Sequence, residues 1–131
     1  MELALKTQKR SEVLDVTLLV KEACRSWGGT GLAQLFCPHT TAGVAINENC
    51  DPTVKEDLLA ALGRLVPEGA GYAHSEGNAD AHIKAVLTGN QILVPVQAGK
   101  LKLGRWQGIY FCEFDGPRPR TLWLTFLRGE A

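Results

Sequence analysis

Two stretches near the C-terminal end decide the fold: Gly108-Ile109-Tyr110-Phe111-Cys112-Glu113-Phe114-Asp115 and Arg120-Thr121-Leu122-Trp123-Leu124-Thr125-Phe126-Leu127. Both are dense in aromatic and aliphatic residues that suit a pleated, half-buried surface. Gly116 and Pro117 stand between them. Turn residues between two apolar runs predict a hairpin with a longer loop. Working outward, Gly99 and Gly104 mark turns around Leu101-Lys102-Leu103, and residues 91–97 (QILVPVQ) form a further strand. Pro95 lacks an N–H, which places that strand at an edge or bulge.

The segment before it changes period. Asn78 is the expected N-cap of a short helix that ends at Gly89, with Ala79, Ile83, Val86 and Leu87 facing the core. Residues 67–77 contain three glycines and read as a loop. A longer helix precedes them. Asp51 is its expected cap and Pro52 suits its first position, where a missing N–H costs nothing. Val54, Leu58, Ala61, Leu62 and Leu65 make one apolar stripe along it. Residues 43–47 and 30–37 read as strands. Val16 to Trp27 reads as a helix, capped by Asp15 and stopped by Gly28-Gly29, and residues 2–8 as an opening strand. Helices interrupt strands without regular alternation. The expected class is therefore α+β: a mixed or antiparallel β-sheet sandwich with two to three helices.

The chain has 131 residues, 45% hydrophobic, which is the size and composition of one packed domain spanning 1–131. Lysine plus arginine and aspartate plus glutamate both number 14. That balance supplies no bulk attraction to nucleic acid or membrane, and no aromatic residues interleave with a basic stripe. MELALKTQKR does not read as a secretory leader, and no apolar run is long enough to span a bilayer, so a cytoplasmic protein is expected. Cys24, Cys37, Cys50 and Cys112 fit neither zinc-ribbon nor redox spacing and are expected to be structural thiols. Phosphate-loop, nucleophile-elbow and dinucleotide-binding motifs are missing.

Three groups of residues can carry chemistry. His39, His74 and His82 each lie at an element boundary, and a helix start beside them favours anions. Three imidazoles at such a place can hold a divalent metal or an anion such as phosphate. Alternatively, His39 fills a turn and His82 borders the apolar stripe as a satisfied core residue. Asn47-Glu48-Asn49-Cys50-Asp51 places carboxylates and amides between a strand and a helix. Asp51 is accounted for by capping; Glu48 is the better candidate for acid–base work. Glu76 adjoins His74 and is otherwise an exposed loop residue. Gly104-Arg105-Trp106-Gln107-Gly108 offers a planar cation, an indole and an amide, either as a ligand shelf or as a turn with Trp106 packed inside. Lys84 is expected in solvent.

Three blocks carry a family resemblance: HTTAGVAINENCDPTVKEDL (39–58), HSEGNADAHIKAVLTG (74–89) and LGRWQGIYFCEFDGPR (103–118). In order and spacing they resemble the YjbQ family, also called the secondary thiamine-phosphate synthase family, from about Lys6 to Leu127. The resemblance implies an α+β fold with a β–α–β crossover and a homotrimer. It places the family's histidines on His39, His74 and His82, and its acidic and amide positions on Asn47, Glu48, Asp51, Glu76 and Asn78. Its glycine–tryptophan–glutamine block falls on Gly104, Trp106, Gln107 and Gly108. Arg105 departs from the threonine usual before that tryptophan.

The resulting expectation is a small trimeric enzyme acting on a phosphorylated or anionic small molecule. His39, Glu48, His74, Glu76 and His82 would be catalytic. Thr40, Thr41, Asn47, Asn78, Arg105, Trp106 and Gln107 would bind substrate. His39, His74 and His82 are the expected ligands if a divalent metal, zinc or magnesium, is held. The resemblance adds a thiamine-phosphate synthase side activity. The alternatives are a metal-dependent hydrolase and a non-catalytic trimeric metabolite- or metal-binding module.

Overall fold

A computed structural model describes residues 1–130. Its elements run β1 (Glu2–Lys6), β2 (Glu12–Asp15), α1 (Thr17–Trp27), β3 (Gly31–Phe36), β4 (Ala42–Glu48), α2 (Pro52–Leu65), α3 (Ala79–Thr88), β5 (Gln91–Gln97), β6 (Lys100–Leu101), β7 (Gln107–Glu113) and β8 (Pro119–Arg128). The strands form two sheets, ordered β1-β8-β3-β5-β6 and β2-β7-β4. Every strand pair is antiparallel. The class is α+β, as expected. The helical crossovers join strands of different sheets: α1 links β2 to β3, and α2 with α3 links β4 to β5.

The two sheets close on an apolar core. Ala33, Leu35, Val94, Val96, Leu122 and Leu124 face Ala42, Val44, Ile109 and Phe111, and α1 inserts Val16, Val20, Ala23 and Cys24. The outer face of the smaller sheet carries Tyr110, Cys112 and Phe114, covered by Ala81 and Ala85 of α3 and by Leu59 and Leu62 of α2. Pro95 sits where expected, because only Val96 and Gln97 of β5 pair with β6, leaving most of that strand an edge.

Four expectations are corrected. First, β7 and β8 are not a hairpin: β7 pairs with β2 and β4, whereas β8 pairs with β1 and β3. The connection is a corner between sheets. It is held there by the segment after β1, where the Gly116 N–H donates to the Arg10 carbonyl (2.9 Å) and the Arg118 N–H donates to Thr7 Oγ1 (3.0 Å). Gly116 is needed at that corner, since a Cβ would lie 2.3 Å from the Lys9 carbonyl oxygen. Second, β2 is an additional strand, and β1 is shorter than residues 2–8.

Third, the apolar residues Ile83, Val86 and Leu87 of α3 face outward, and Val86 is 82% exposed. The helix instead buries Ala79, Ala81 and Ala85 with a polar pair, Asp80 and Lys84. Lys84 is thus not a solvated lysine: its Nζ donates to Asp80 Oδ2 at 2.9 Å. The stripe on α2 likewise contributes no buried residue. Fourth, the Asn78 side chain makes no cap hydrogen bond, because its amide donates to Asp115 Oδ2 (2.8 Å). The Asp51 cap forms, with its Oδ1 accepting from the Thr53 N–H (2.9 Å). At α1 the cap position falls on Val16, which has no side-chain cap bond, and Asp15 one residue ahead accepts from the Thr17 N–H (2.9 Å).

Candidate functional site

A groove runs between the β3–β4 connection and α3. Its polar lobe, about 350 Å³, is lined by His39, Thr40, Thr41, Glu76, Asn78, His82, Asp115, Arg118 and Arg120 with Pro38. A second lobe, about 450 Å³, shares His39, Thr40 and His82 and is otherwise walled by Ala42, Ala85, Val86, Gly89 and Asn90. His39 and His82 therefore stand at the boundary between a charged end and an uncharged end of mixed polarity.

His39 follows the end of β3, where β8 loses its neighbour. The Thr121 N–H of β8 donates to His39 Nε2 at 2.9 Å, so the imidazole replaces a strand partner. The Thr121 carbonyl oxygen lies 3.1 Å from the same nitrogen. One ring nitrogen cannot accept and donate in a single plane. A backbone N–H can only donate and makes the shorter contact, so Nε2 is the acceptor and Nδ1 carries the proton. Burial first, and the Arg120 guanidinium second, hold His39 below the usual histidine range. His39 is a neutral Nδ1–H donor near pH 7.

Beneath it lies a buried ion pair. Arg120 Nε donates to Glu113 Oε2 (2.8 Å), and one of its terminal nitrogens donates to Thr41 Oγ1 (2.8 Å). Thr7 Oγ1 donates to Glu113 Oε1 (3.0 Å). Glu113 is fully buried and Arg120 nearly so. Arg118, by contrast, has a half-exposed side chain. Its Nε and one terminal nitrogen bind Asp115. Its other terminal nitrogen has no hydrogen-bond partner among the described residues. That leaves a cation held by its own loop, with donors to spare beside the polar lobe.

The expected site residues divide into two groups. His39, Thr40, Thr41, Glu76, Asn78 and His82 meet in the groove. His74 stands behind His82, with ring centroids 5.1 Å apart edge to face, and its Nε2 is 3.8 Å from Glu76 Oε2. Asn47, Glu48, Arg105, Trp106 and Gln107 lie elsewhere. Glu48 ends the strand that Ala42 begins, so about 20 Å of β4 separates it from the groove within one chain. Glu48 pairs with Gln107 there, and Gln107 Oε1 accepts from the Gly104 N–H (2.7 Å) as a turn residue. Arg105 stacks on Trp106, which is half exposed and not packed inside. Gly108 is needed because a Cβ would lie 2.1 Å from the Asn49 amide nitrogen. These five residues take no part in the groove of the same subunit.

The three-histidine metal set is not formed. Among the described residues, no group of three or more His, Cys, Asp or Glu is arranged to hold a metal ion. The lone pair of His39 Nε2 is occupied by Thr121, and its other nitrogen carries the proton. Zinc needs unprotonated nitrogens. Arg118, Arg120 and Asp115 are groove residues that the sequence reading did not single out. The Pro117-Arg118-Pro119-Arg120 run was the available signal, since prolines fix the backbone around two cations.

With that groove described, similarity to known proteins decides the family. The family model described as "UPF0047 protein YjbQ-like" matches residues 1–129. The chain belongs to this family. The UPF0047 protein YugU of Bacillus subtilis is 48% identical over 127 residues, covering 95% of this chain and 96% of its own. A UPF0047 protein of Archaeoglobus fulgidus is 50% identical over 124 residues, covering 93% and 96%. The crystal structure of a YjbQ/UPF0047-family protein from Clostridium acetobutylicum superposes with a TM-score of 0.94 at 49% identity, covering 97% of this chain and 99% of that one. A protein from Aeropyrum pernix superposes with a TM-score of 0.93 at 40% identity, covering 98% of both. The YjbQ-like fold extends across these members. No helix among the described residues is long and apolar enough to cross a membrane.

Proposed function

We propose that this YjbQ-family chain is a small enzyme acting on a phosphorylated small molecule bound in the groove. The observation that carries the reading is Arg118, which has spare donors and lines the polar lobe together with His39 and Thr40. Guanidinium and neutral N–H donors are the groups that recognise phosphate oxygens. The anion sits in the polar lobe, and the rest of the molecule lies along Ala42, Ala85 and Val86. His82, at the boundary, moves the proton, and His74 with Glu76 orients it from behind. The family resemblance adds a side activity that this division into lobes supports. There, a thiazole phosphate nitrogen bonds to the pyrimidine's methylene carbon while the carbon–oxygen bond to diphosphate breaks, releasing pyrophosphate.

The assembly we propose is a homotrimer. Leu32, Leu93, Trp123 and Leu127 share the outer face of the larger sheet and are each more than a third exposed. Phe36 stacks on Trp123 there, with centroids 5.7 Å apart. An exposed sheet face is normally polar, and an uncovered apolar one supports burial against other subunits.

The test is a panel of phosphate monoesters and diphosphates screened for binding and turnover with the wild type and His82→Gln. Turnover of at least one compound, lost in His82→Gln with binding retained, is expected. Binding without turnover anywhere in the panel would leave a non-catalytic module.

A further inference from the structure

Arg10 lies between β1 and β2, outside the groove, yet it touches both of its walls. One terminal nitrogen donates to Asp80 Oδ1 at 2.9 Å, and the other lies 3.9 Å from Asp115 Oδ1. Its Nε is 3.1 Å from Glu68 Oε1. Its backbone carbonyl accepts from the Gly116 N–H at 2.9 Å. Glu68 is exposed and makes no hydrogen bond with the Arg10 Nε, whereas the other two carboxylates are each anchored to something else. Asp80 is buried in the first turn of α3, with Lys84 on its other oxygen at 2.9 Å. Asp115 Oδ2 receives both Asn78 Nδ2 (2.8 Å) and an Arg118 terminal nitrogen (3.1 Å).

These contacts form one chain: Lys84, Asp80, Arg10, Asp115, then Arg118 and Asn78. The α3 end of the chain positions His82, one turn beyond Asn78. The loop end positions Arg118. The core holds α3 only through the short side chains of Ala79, Ala81 and Ala85, and its larger apolar residues point outward, so the polar chain adds the link to the 115–118 loop. We propose that Arg10 is a positioning residue that sets the distance between His82 on α3 and Arg118 on the 115–118 loop, and so the fit of the phosphate group. The proposal rests on the phosphate reading of the groove. The planar fork of arginine is what the geometry requires, since its two terminal nitrogens face carboxylates of different elements. A lysine keeps the charge but presents a single point donor.

The experiment compares wild type, Arg10→Met, Arg10→Lys and Phe126→Leu. Phe126→Leu is a stability control, because Phe126 stacks on Trp27 away from the groove. Two readouts are taken: inorganic phosphate affinity by calorimetry, and the NMR resonances of the Asn78 side-chain amide in phosphate-free protein. Both Arg10 variants should weaken phosphate by about tenfold or more, as misplacement of binding groups does, and both should move the Asn78 resonances. Phe126→Leu should lower the Tm and change neither. Full phosphate affinity in Arg10→Lys would reduce Arg10 to a charge and overturn the proposal. Unmoved Asn78 resonances in Arg10→Met would overturn it as well. Absence of phosphate binding by the wild type would instead remove the phosphate reading, while the Asn78 resonances still decide whether Arg10 positions the walls.

Discussion

The Thr121 N–H donates to His39 Nε2 at 2.9 Å, and this one bond fixes the tautomer of the groove's boundary histidine. Burial and Arg120 lower its folded-state pKa below the unfolded value of about 6.5. The unfolded chain therefore binds the proton more readily. The stability that neutral His39 contributes is complete above that unfolded value and is lost as pH falls through the window below it. His39→Gln keeps an acceptor where Nε2 stood and cannot titrate. Thermal melts between pH 7.5 and 5 should show a smaller loss of Tm in His39→Gln than in wild type. Parallel curves would refute the neutral-histidine account.

Glu113 and Arg120 form a buried pair satisfied on both sides by Thr7 and Thr41. Removing one partner leaves an uncompensated buried charge. Arg120→Met should cost about 3–5 kcal/mol in urea unfolding. A loss below about 1 kcal/mol would mean that water reaches Glu113.

The cysteines divide by burial. Cys24, Cys37 and Cys112 are buried and Cys50 is exposed. Burial pushes Cys24 and Cys37 up, and Cys112 up to about 12. A thiol reagent should titrate one group quickly in the native protein. It should titrate four after denaturation without reductant. Two or more fast native thiols would contradict the burial of Cys24, Cys37 and Cys112.

Leu93 lies on the apolar outer face of the larger sheet and is 55% exposed. Leu93→Lys should convert a trimer to monomers by light scattering without changing the circular dichroism spectrum. A wild-type monomer would place the trimer interface out of account.

Much of this architecture was legible in local pattern. The helix capped by Asp51, the strands either side of Gly116 and the stop at Gly89 follow from backbone chemistry that acts over a few residues. So does the gathering of Asn78 and His82 on one helix face. What the pattern could not show is which sheet a strand joins. Gly116-Pro117 reads alike as a hairpin loop or as a corner, and only the contacts of Thr7 and Arg10, more than 100 residues away, decide it. Glu48 stood out as an acid–base candidate because no capping role accounted for it, but a strand carries it to the far end of the sheet. Arg118 and Arg120 went unremarked for the opposite reason. Their groove partners Thr40, Thr41 and His82 are distant along the chain.

The central claim is that Arg118 binds the phosphate of the ligand. Isothermal titration with inorganic phosphate, on wild type and Arg118→Met, tests it most directly. Arg118 has a half-exposed side chain, so its loss leaves the core untouched and the Tm should stay close to that of wild type. Wild type should bind one phosphate per chain, and Arg118→Met should bind it about tenfold more weakly or worse, as loss of a charge-assisted contact implies. Equal affinities in the two proteins, or no phosphate binding by wild type, would contradict the account.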